Sequence, residues 1–425
     1  MSSAQPGVHS KSRSPSASSL ERKEGKKTEE CSPPPAGGDG GSSTHLEPPP
    51  LKTSPRESPW IQIPWILFLL LLFLEGITCM GTGFKALGKP FAMQLMEATS
   101  NPIVALMIGV LATSIIQSSS TTTSIVVGMV ASGTLSVPLA IPVVMGANIG
   151  TTITNLLVAL GSIGRKDEFR RCFAAATVHD YFNLAAVGIL LPLELATGYL
   201  QHLSGWAAGL LGAQGAQAHK IHGPVELVLK PPAKALVHGL QGLGLSPQLS
   251  GVLAAVLGIL LVAFALVYLV KSLRKVMLSR LEGFFTAFLG KNWLQAMLVG
   301  LVITVLVQSS SITTSLLVPM AGAGLLTLEQ VYPVTLGANV GTTVTALLAS
   351  LAAPAGLQIA LVHLFFNISG ILILFPFPPV RRATLWLARS FAAFAAEKKK
   401  WAILYVLIVF FGIPGLLLLL EEVLS

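Results

Sequence analysis

Two short runs hold side chains that could do chemistry. Gln117–Ser124 reads QSSSTTTS and Gln308–Ser315 reads QSSSITTS, both within apolar surroundings. Amides and hydroxyls are neutral and supply both donors and acceptors. A buried polar group left unsatisfied in hydrocarbon costs several kcal/mol, so these groups must satisfy one another or face something polar that is not lipid. Thirty-one residues after each Gln comes an Asn between glycines, Asn148 in GANIGTT and Asn339 in GANVGTT. Glycine permits a helix to break, so these motifs predict broken helices at membrane depth. N–H groups freed at a helix N-terminus favour an anion. Freed carbonyls with Ser, Thr, Gln and Asn oxygens suit a hard cation such as Na⁺. No HExxH, GxSxG or Walker pattern occurs, and no paired carboxylates sit beside the serines. Dense serines without a base indicate binding rather than nucleophilic catalysis, so the chain is not read as an enzyme.

The elements that must position these motifs are membrane spans. Of 425 residues, 52% are hydrophobic and 11% charged, and the mean hydropathy is +0.71. That balance belongs to an all-α polytopic membrane protein, not a soluble domain. Ile61–Met80, Val252–Val270 and Trp401–Leu420 are the clearest runs, each near the roughly 20 residues a crossing needs. The first apolar run is too long and too late for a secretory signal peptide. The net charge of +9 lies mostly in short loops, which argues against a nucleic-acid partner and for cytoplasmic loops. Cys31, Cys79 and Cys172 have neither a disulfide nor a metal spacing, so no metal beyond sodium is expected. Residues 1–58 mix Ser, Pro, Gly and balanced charge and read as a disordered cytoplasmic tail.

The rest is duplicated. Gln117–Thr154 aligns with Gln308–Thr345 without a gap, and 20 of 38 positions are identical. VHDYFN (Val178–Asn183) and VHLFFN (Val362–Asn367) follow the two copies, while GFKALGK and GFFTAFLGK, beginning at Gly83 and Gly283, precede them. GRKDEFRR at Gly164–Arg171 follows the first copy, whereas the uncharged LAAPAGLQ at Leu351–Gln358 follows the second. Lys271, Arg274, Lys275 and Arg280 precede the second copy. By the positive-inside rule, copy one ends inside, and copy two begins inside and ends outside. This predicts two inverted-topology repeats, with broken or re-entrant helices carrying the QSSS motifs. Crossing parity agrees: residues 102–160 must make one net crossing although they hold two apolar segments. The expected divisions are the tail 1–58, membrane repeat 1 over 59–200, an external connecting segment 201–250, and membrane repeat 2 with a final span over 251–425. The count leaves EEVLS outside.

The paired motifs, with FRRCFAAATVHDYFN after the first and VHLFFNISGIL after the second, resemble the type II sodium-dependent phosphate cotransporters over about Leu67–Leu420. The resemblance implies Na⁺-driven import of inorganic phosphate by alternating access, with Na⁺ as coupling ion and no cofactor. It places sodium on Thr151, Gln308, Ser310, Ser311 and Thr345. It places phosphate between the QSSS turns, at Gln117, Ser118, Ser119, Ser120, Ser309 and Ser310, with Asn148 and Asn339 close by. Asp180 breaks the symmetry, because Leu364 is its counterpart. A carboxylate at membrane depth is a functional hypothesis by default. In the family an Asp here resembles the electrogenic members, which carry an additional sodium; the alternative is a structural Asp paired with His179. His179 and His363 read as packing or hydrogen-bonding residues rather than ligands. A single SxxS would read as ordinary helix glue; the paired motifs favour a site. The resemblance also implies a multi-pass protein of the plasma membrane and allows a homodimer. Other readings are transport of another small oxyanion, a channel, or an accessory role in phosphate homeostasis. The segment 201–250 has no cysteine and no N-x-[ST] sequon, unlike the external loop of animal relatives.

Overall fold

A computed structural model describes residues 59–211, 224–288 and 292–424. The expected tail 1–58, residues 212–223 of the connecting segment, the end of GFFTAFLGK at 289–291, and Ser425 lie outside the described residues. Those described form helices and no strand. In chain order they are α1 (Pro59–Ala98), α2 (Pro102–Ile116), α3 (Ser119–Ser132), α4 (Val137–Gly150), α5 (Thr152–Leu160), α6 (Lys166–Thr197) and α7 (Tyr199–Leu210). Then come α8 (Pro224–Gly242), α9 (Pro247–Phe288), α10 (Trp293–Val307), α11 (Ser310–Gly322), α12 (Leu328–Ala352), α13 (Leu357–Leu374), α14 (Pro378–Glu397), α15 (Lys400–Leu407) and α16 (Ile413–Leu424). The expected boundary at residue 200 falls inside α7.

Among the described residues seven segments are long and apolar enough to cross a bilayer, and the runs beginning at Ile61, Val252 and Trp401 overlap three of them. Along α9, Leu253, Leu257, Leu260 and Phe264 are exposed at helical spacing, an apolar stripe that suits lipid. α2 and α10 have 15 residues each, about 23 Å at 1.5 Å per residue, and are shorter than the roughly 30 Å hydrocarbon core.

Each short helix ends in a reversal. Gln117 and Gln308 are the only non-glycine residues with positive φ among those described, at 59° and 56°. Thr113 Oγ1 then donates to Thr122 Oγ1 at 3.0 Å, and Thr304 Oγ1 to Thr313 Oγ1 at 2.8 Å. Nine residues of continuous helix would separate such pairs by about 13.5 Å, so the chain folds back at each Gln. The QSSS motif is therefore split: Gln ends one helix, the first Ser caps the next, and the remaining two open it.

The glycine-flanked asparagines do not break their helices, contrary to the expectation. α12 runs unbroken through GANVGTT, and Thr151, between α4 and α5, keeps helical angles of −58° and −31°. The polar side chains bond back to their own helix: Asn148 Nδ2 donates to the Val144 carbonyl and Thr151 Oγ1 to the Ala147 carbonyl. The glycines serve packing instead. A Cβ on Gly146 would collide with the Leu106 carbonyl, and one on Gly150 with the Val110 carbonyl and Thr113. Gly337 meets Met297, and Gly341 meets Leu301 and Thr304, in the same way. Contacts that advance together along both helices make α4 parallel to α2, and α12 parallel to α10. With α3 returning between them, α2 to α5 make one net traverse, as the parity count requires.

α1 and α9 close on reciprocal glycines as well. Gly76 lies against Gly258 and Val262, and Gly83 against Gly251 and Ala255, so these two helices are antiparallel. Contacts between the copies are reciprocal. Gly322, ending α11, meets Glu168 and Cys172 at the start of α6, while Gly356 meets Val127 near the end of α3. Lys166 pairs with Glu397 at 2.5 Å, and Arg389 of α14 pairs with Glu329 at the start of α12. These put the basic loop after copy one beside the beginning of α12.

Candidate functional site

The two reversals build matching half-sites. Gln117 Nε2 donates to the Ser114 carbonyl, and its Oε1 accepts from Thr154 Oγ1 at 3.1 Å. Gln308 Nε2 donates to the Val305 carbonyl, and its Oε1 accepts from Thr345 Oγ1 at 3.0 Å. A left-handed non-glycine residue costs about 1–2 kcal/mol, and these paired amide bonds offset it. They also lock each reversal to the chain just after the Asn motif, on α5 in copy one and on α12 in copy two.

Ser118 and Ser309 are N-caps. Ser118 Oγ accepts from the Thr121 N–H at 3.2 Å, and Ser309 Oγ from the Ile312 N–H at 3.4 Å. The first-turn N–H groups of Ser119, Ser120, Ser310 and Ser311 have no carbonyl one turn back to receive them. Ser119 and Ser310 are only 4% and 3% exposed. Each half-site thus offers buried N–H groups, hydroxyls and the positive end of a helix, the donor set that holds an anion.

Between the copies lies a reciprocal network. His179 Nε2 meets Asn339 Oδ1 at 2.7 Å, and His363 Nε2 meets Asn148 Oδ1 at 3.3 Å. Each histidine therefore reaches the asparagine of the opposite copy. Asn183 Nδ2 also lies 3.1 Å from His179 Nε2, and Thr152 Oγ1 lies 3.1 Å from Nδ1. Asn183 Nδ2 donates to the Asn148 carbonyl, Asn339 Nδ2 to Asn183 Oδ1, and Asn367 Nδ2 to Asn148 Oδ1. These histidines are hydrogen-bonding residues, as their sequence suggests.

The residues expected to hold sodium fall in three places. Gln308 and Thr345 touch, and Ser310 and Ser311 open the helix that Gln308 precedes. Thr151 instead turns its hydroxyl onto its own helix. Asp180 stands apart on α6, 0% exposed, and its partner is the Tyr405 hydroxyl, which donates to Oδ2. The expected alternative pairing with His179 is not formed. Asp180 Oδ1 has no protein partner. Phosphate candidates Gln117 to Ser120, Ser309 and Ser310 share the two reversals, whereas Asn148 and Asn339 belong to the histidine network. Among the described residues no three His, Cys, Asp or Glu side chains gather.

Sequence reasoning missed Tyr405 and Asn155. Asn155 Oδ1 accepts from Thr314 Oγ1 at 2.8 Å and from Ser315 Oγ at 3.3 Å, joining α5 to α11 across the copies. Its signal was available: the aligned residue of copy two is Ala346, so Asn155 is a polar residue without a repeat partner. Tyr405 lies in an apolar run outside the duplicated motifs and gave no such signal.

The sequence profile of the Na⁺/Pi-cotransporter family matches residues 72–209 and 259–414. Sodium-dependent phosphate transport protein 2A of Rattus norvegicus is 33% identical over 427 aligned positions, covering 84% of this chain and 67% of the relative. Sodium-dependent phosphate transport protein 2B of Homo sapiens is 35% identical over 445 positions, covering 82% and 64%. The chain thus spans about two thirds of the length of the curated relatives it matches. No solved structure matches.

Proposed function

The chain belongs to the Na⁺/Pi-cotransporter family, and from that premise we propose that it is a sodium-coupled symporter importing inorganic phosphate across the cell membrane by alternating access. One observation carries the reading: two buried helix N-termini, each opened by a QSSS reversal, are built alike in the two copies. Phosphate, an anion rich in acceptors, suits Ser118–Ser120 and Ser309–Ser310 with Gln117 at the turn; Asn148 and Asn339 tie the copies together behind them. Sodium suits the oxygens of Gln308, Ser310, Ser311 and Thr345, with Thr151 joining them after its hydroxyl leaves the Ala147 carbonyl. The reciprocal contacts at Gly322 and Gly356, with the Arg389–Glu329 pair, support an inverted arrangement in which one copy rocks against the other. On this orientation the tail and the Arg165–Arg171 loop are cytoplasmic. The buried, unpartnered Oδ1 of Asp180 supports an additional sodium and hence an electrogenic cycle. The test is tracer phosphate uptake into proteoliposomes with Na⁺ replaced by choline. Saturable uptake only with Na⁺ is expected; uptake that ignores Na⁺, or that fails to saturate, would overturn the reading.

A further inference from the structure

α14 reads PPVRRATLWLARSFAAFAAE, and KKK follows it at Lys398–Lys400. Its 20 residues, about 30 Å, could reach across the hydrocarbon core. Yet Arg381, Arg382, Arg389 and Glu397 are spread along it, and it is not one of the seven apolar segments. Thr384, Leu385, Ala388, Ala392, Ala395 and Ala396 are buried at helical spacing. These mostly small side chains let α14 lie close against α6, where Phe391 packs on Phe173 with ring centroids 5.6 Å apart.

The anchors of α14 all lie at one face of the bundle. Arg381 stands over the Phe375 ring at 5.3 Å, just past the end of α13, and Phe375 packs on Trp293, the first residue of α10. Arg389 pairs with Glu329 at the start of α12, and Glu397 with Lys166 at the start of α6. α10 runs parallel to α12, and α13 turns back at Pro354–Gly356 to the side where α12 begins, so these helix ends share one side. A crossing helix would have its ends on opposite sides. α15 and α16 do cross. α2 begins on the far side, because it runs parallel to α4, whose continuation α5 ends at the basic loop. There Asn101, the cap of α2, donates to Glu421 of α16 at 3.2 Å. α14 therefore runs in the plane of the bilayer surface, and the final span starts at its end.

The face that α14 turns away from the protein has two edges. Arg382, Trp386 and Arg389, at i, i+4 and i+7, form one, and Leu387 and Phe394, seven apart, form the other. Trp386 is 64% exposed, and Leu387 and Phe394 are exposed beside it. Arg389 is held by Glu329, and Lys398 covers the Phe394 ring at 5.8 Å. Arg382, Lys399 and Lys400 have no carboxylate partner among the described residues, and Glu397, the carboxylate nearest the lysines in the chain, is held by Lys166. Lys398–Lys400 against Glu397 leave a surplus of two positive charges, and the four basic residues of Arg165–Arg171 against Asp167 and Glu168 leave two more. An apolar edge beside a cationic one, with Trp and Lys at the boundary, suits the level of the headgroups and attracts anionic lipid.

We propose that α14 is a docking surface for anionic phospholipid, with Trp386, Leu387 and Phe394 seated among the upper acyl chains and Arg382, Lys399 and Lys400 on the headgroup phosphates. The surface is separate from the QSSS half-sites, so it does not depend on the import reading.

The test uses the full chain in phosphatidylcholine–detergent micelles titrated with phosphatidylserine. The Tm of the wild type should rise with phosphatidylserine. Arg382→Gln with Lys399→Gln and Lys400→Gln should increase the half-saturating phosphatidylserine fraction roughly tenfold. Added salt should shift the wild type in the same direction, and Arg382→Lys with Lys399→Arg and Lys400→Arg should behave as wild type. An equal response in wild type and glutamine variant, or a wild-type response that ignores salt, would overturn the docking. Inorganic phosphate separates the two sources of the same chemistry. Its own effect on Tm should match in both proteins; its loss in the glutamine variant would make these cations a free-anion site and overturn the lipid assignment. Depth is read without the charge variants. The fluorescence that Trp386→Phe removes should be quenched more by lipid brominated near the headgroup than by lipid brominated near the chain ends. Trp386 lies near the middle of α14, so a crossing helix would put it at the bilayer centre. Stronger quenching by the deep probe would overturn the in-plane placement and the docking with it.

Discussion

The two copies share a frame and differ in what they put into it. In both, Gln takes a left-handed turn, Ser caps the next helix, a Thr pair closes the hairpin, and a second Thr holds the Gln amide. The contents diverge at three aligned positions. Asn155 receives Thr314 and Ser315, but its counterpart is Ala346, and Ser124, the counterpart of Ser315, has no protein partner. His179 has Thr152 on its Nδ1, whereas Thr343, aligned with Thr152, donates to its own helix and His363 Nδ1 has no protein partner. Asp180 faces Tyr405, and Leu364 stands in its place in copy two. What is common builds the scaffold and the two half-sites. What differs makes the region between the copies lopsided.

The largest effects should fall on the shared frame, and equally. Gly146→Val and Gly337→Val each drive a side chain into a carbonyl of the facing helix, Leu106 in one copy and Met297 in the other. Backbone cannot yield as a flexible side chain can, and overpacking of this kind costs about 3 kcal/mol or more. Both variants should lose monodisperse protein on size exclusion. Tolerance of one and not the other would show that the copies are not packed alike.

Next come the half-sites. Ser119→Ala and Ser310→Ala each remove one buried hydroxyl at a helix N-terminus. A hydrogen bond to a charged ligand contributes about 1.5–3 kcal/mol, so phosphate uptake should fall roughly tenfold or more in each variant. Surface expression should stay normal, because neither hydroxyl caps its helix. Loss in only one variant would assign the anion to a single copy.

Much of this frame is legible in the sequence, because duplication displays it twice. The hydropathy marks the spans, and the paired QSSS runs mark the reversals. Where the break falls was misread: glycines at 146, 150, 337 and 341 permit a broken helix, but they equally permit close helix approach, and packing decided for the second. The left-handed glutamines carried no warning, since Gln has no local preference for that conformation. The Asp180–Tyr405 pair joins α6 to α15, 225 residues apart, and no local pattern encodes it.

A smaller effect tests whether the Gln–Thr pair means the same thing in each copy. Thr345→Ala removes the donor to Gln308, and Thr154→Ala removes its counterpart on Gln117. If sodium occupies the copy-two oxygens, Thr345→Ala and Gln308→Ala should raise the half-saturating Na⁺ concentration about fivefold, near 1 kcal/mol. Thr154→Ala should shift it far less. Equal shifts would mean that the pair is only a clasp for the reversal, and sodium would have to be sought elsewhere.

The smallest change in uptake should come from the sharpest difference, and it is read in current. Near neutral pH phosphate is largely divalent, so two Na⁺ alone would give a neutral cycle. The buried Asp180 is a carboxyl group that copy two lacks, and if ionised it adds a negative charge that is costly at that depth. If a further Na⁺ neutralises it on the inward step, that ion carries net charge through the field, driven by roughly 2.3 kcal/mol per 100 mV. Wild-type transport should therefore carry inward current. Asp180→Gly, which brings the position closer to the uncharged Leu364, should keep sodium-coupled uptake and abolish the current. Tyr405→Phe retains the carboxylate and removes only its hydroxyl donor, so the current per phosphate should survive. The measurement is two-electrode recording beside tracer uptake. Current per phosphate unchanged in Asp180→Gly would return Asp180 to a structural role with Tyr405, and the lopsidedness of the two copies would then have to be sought at Asn155 and Thr152.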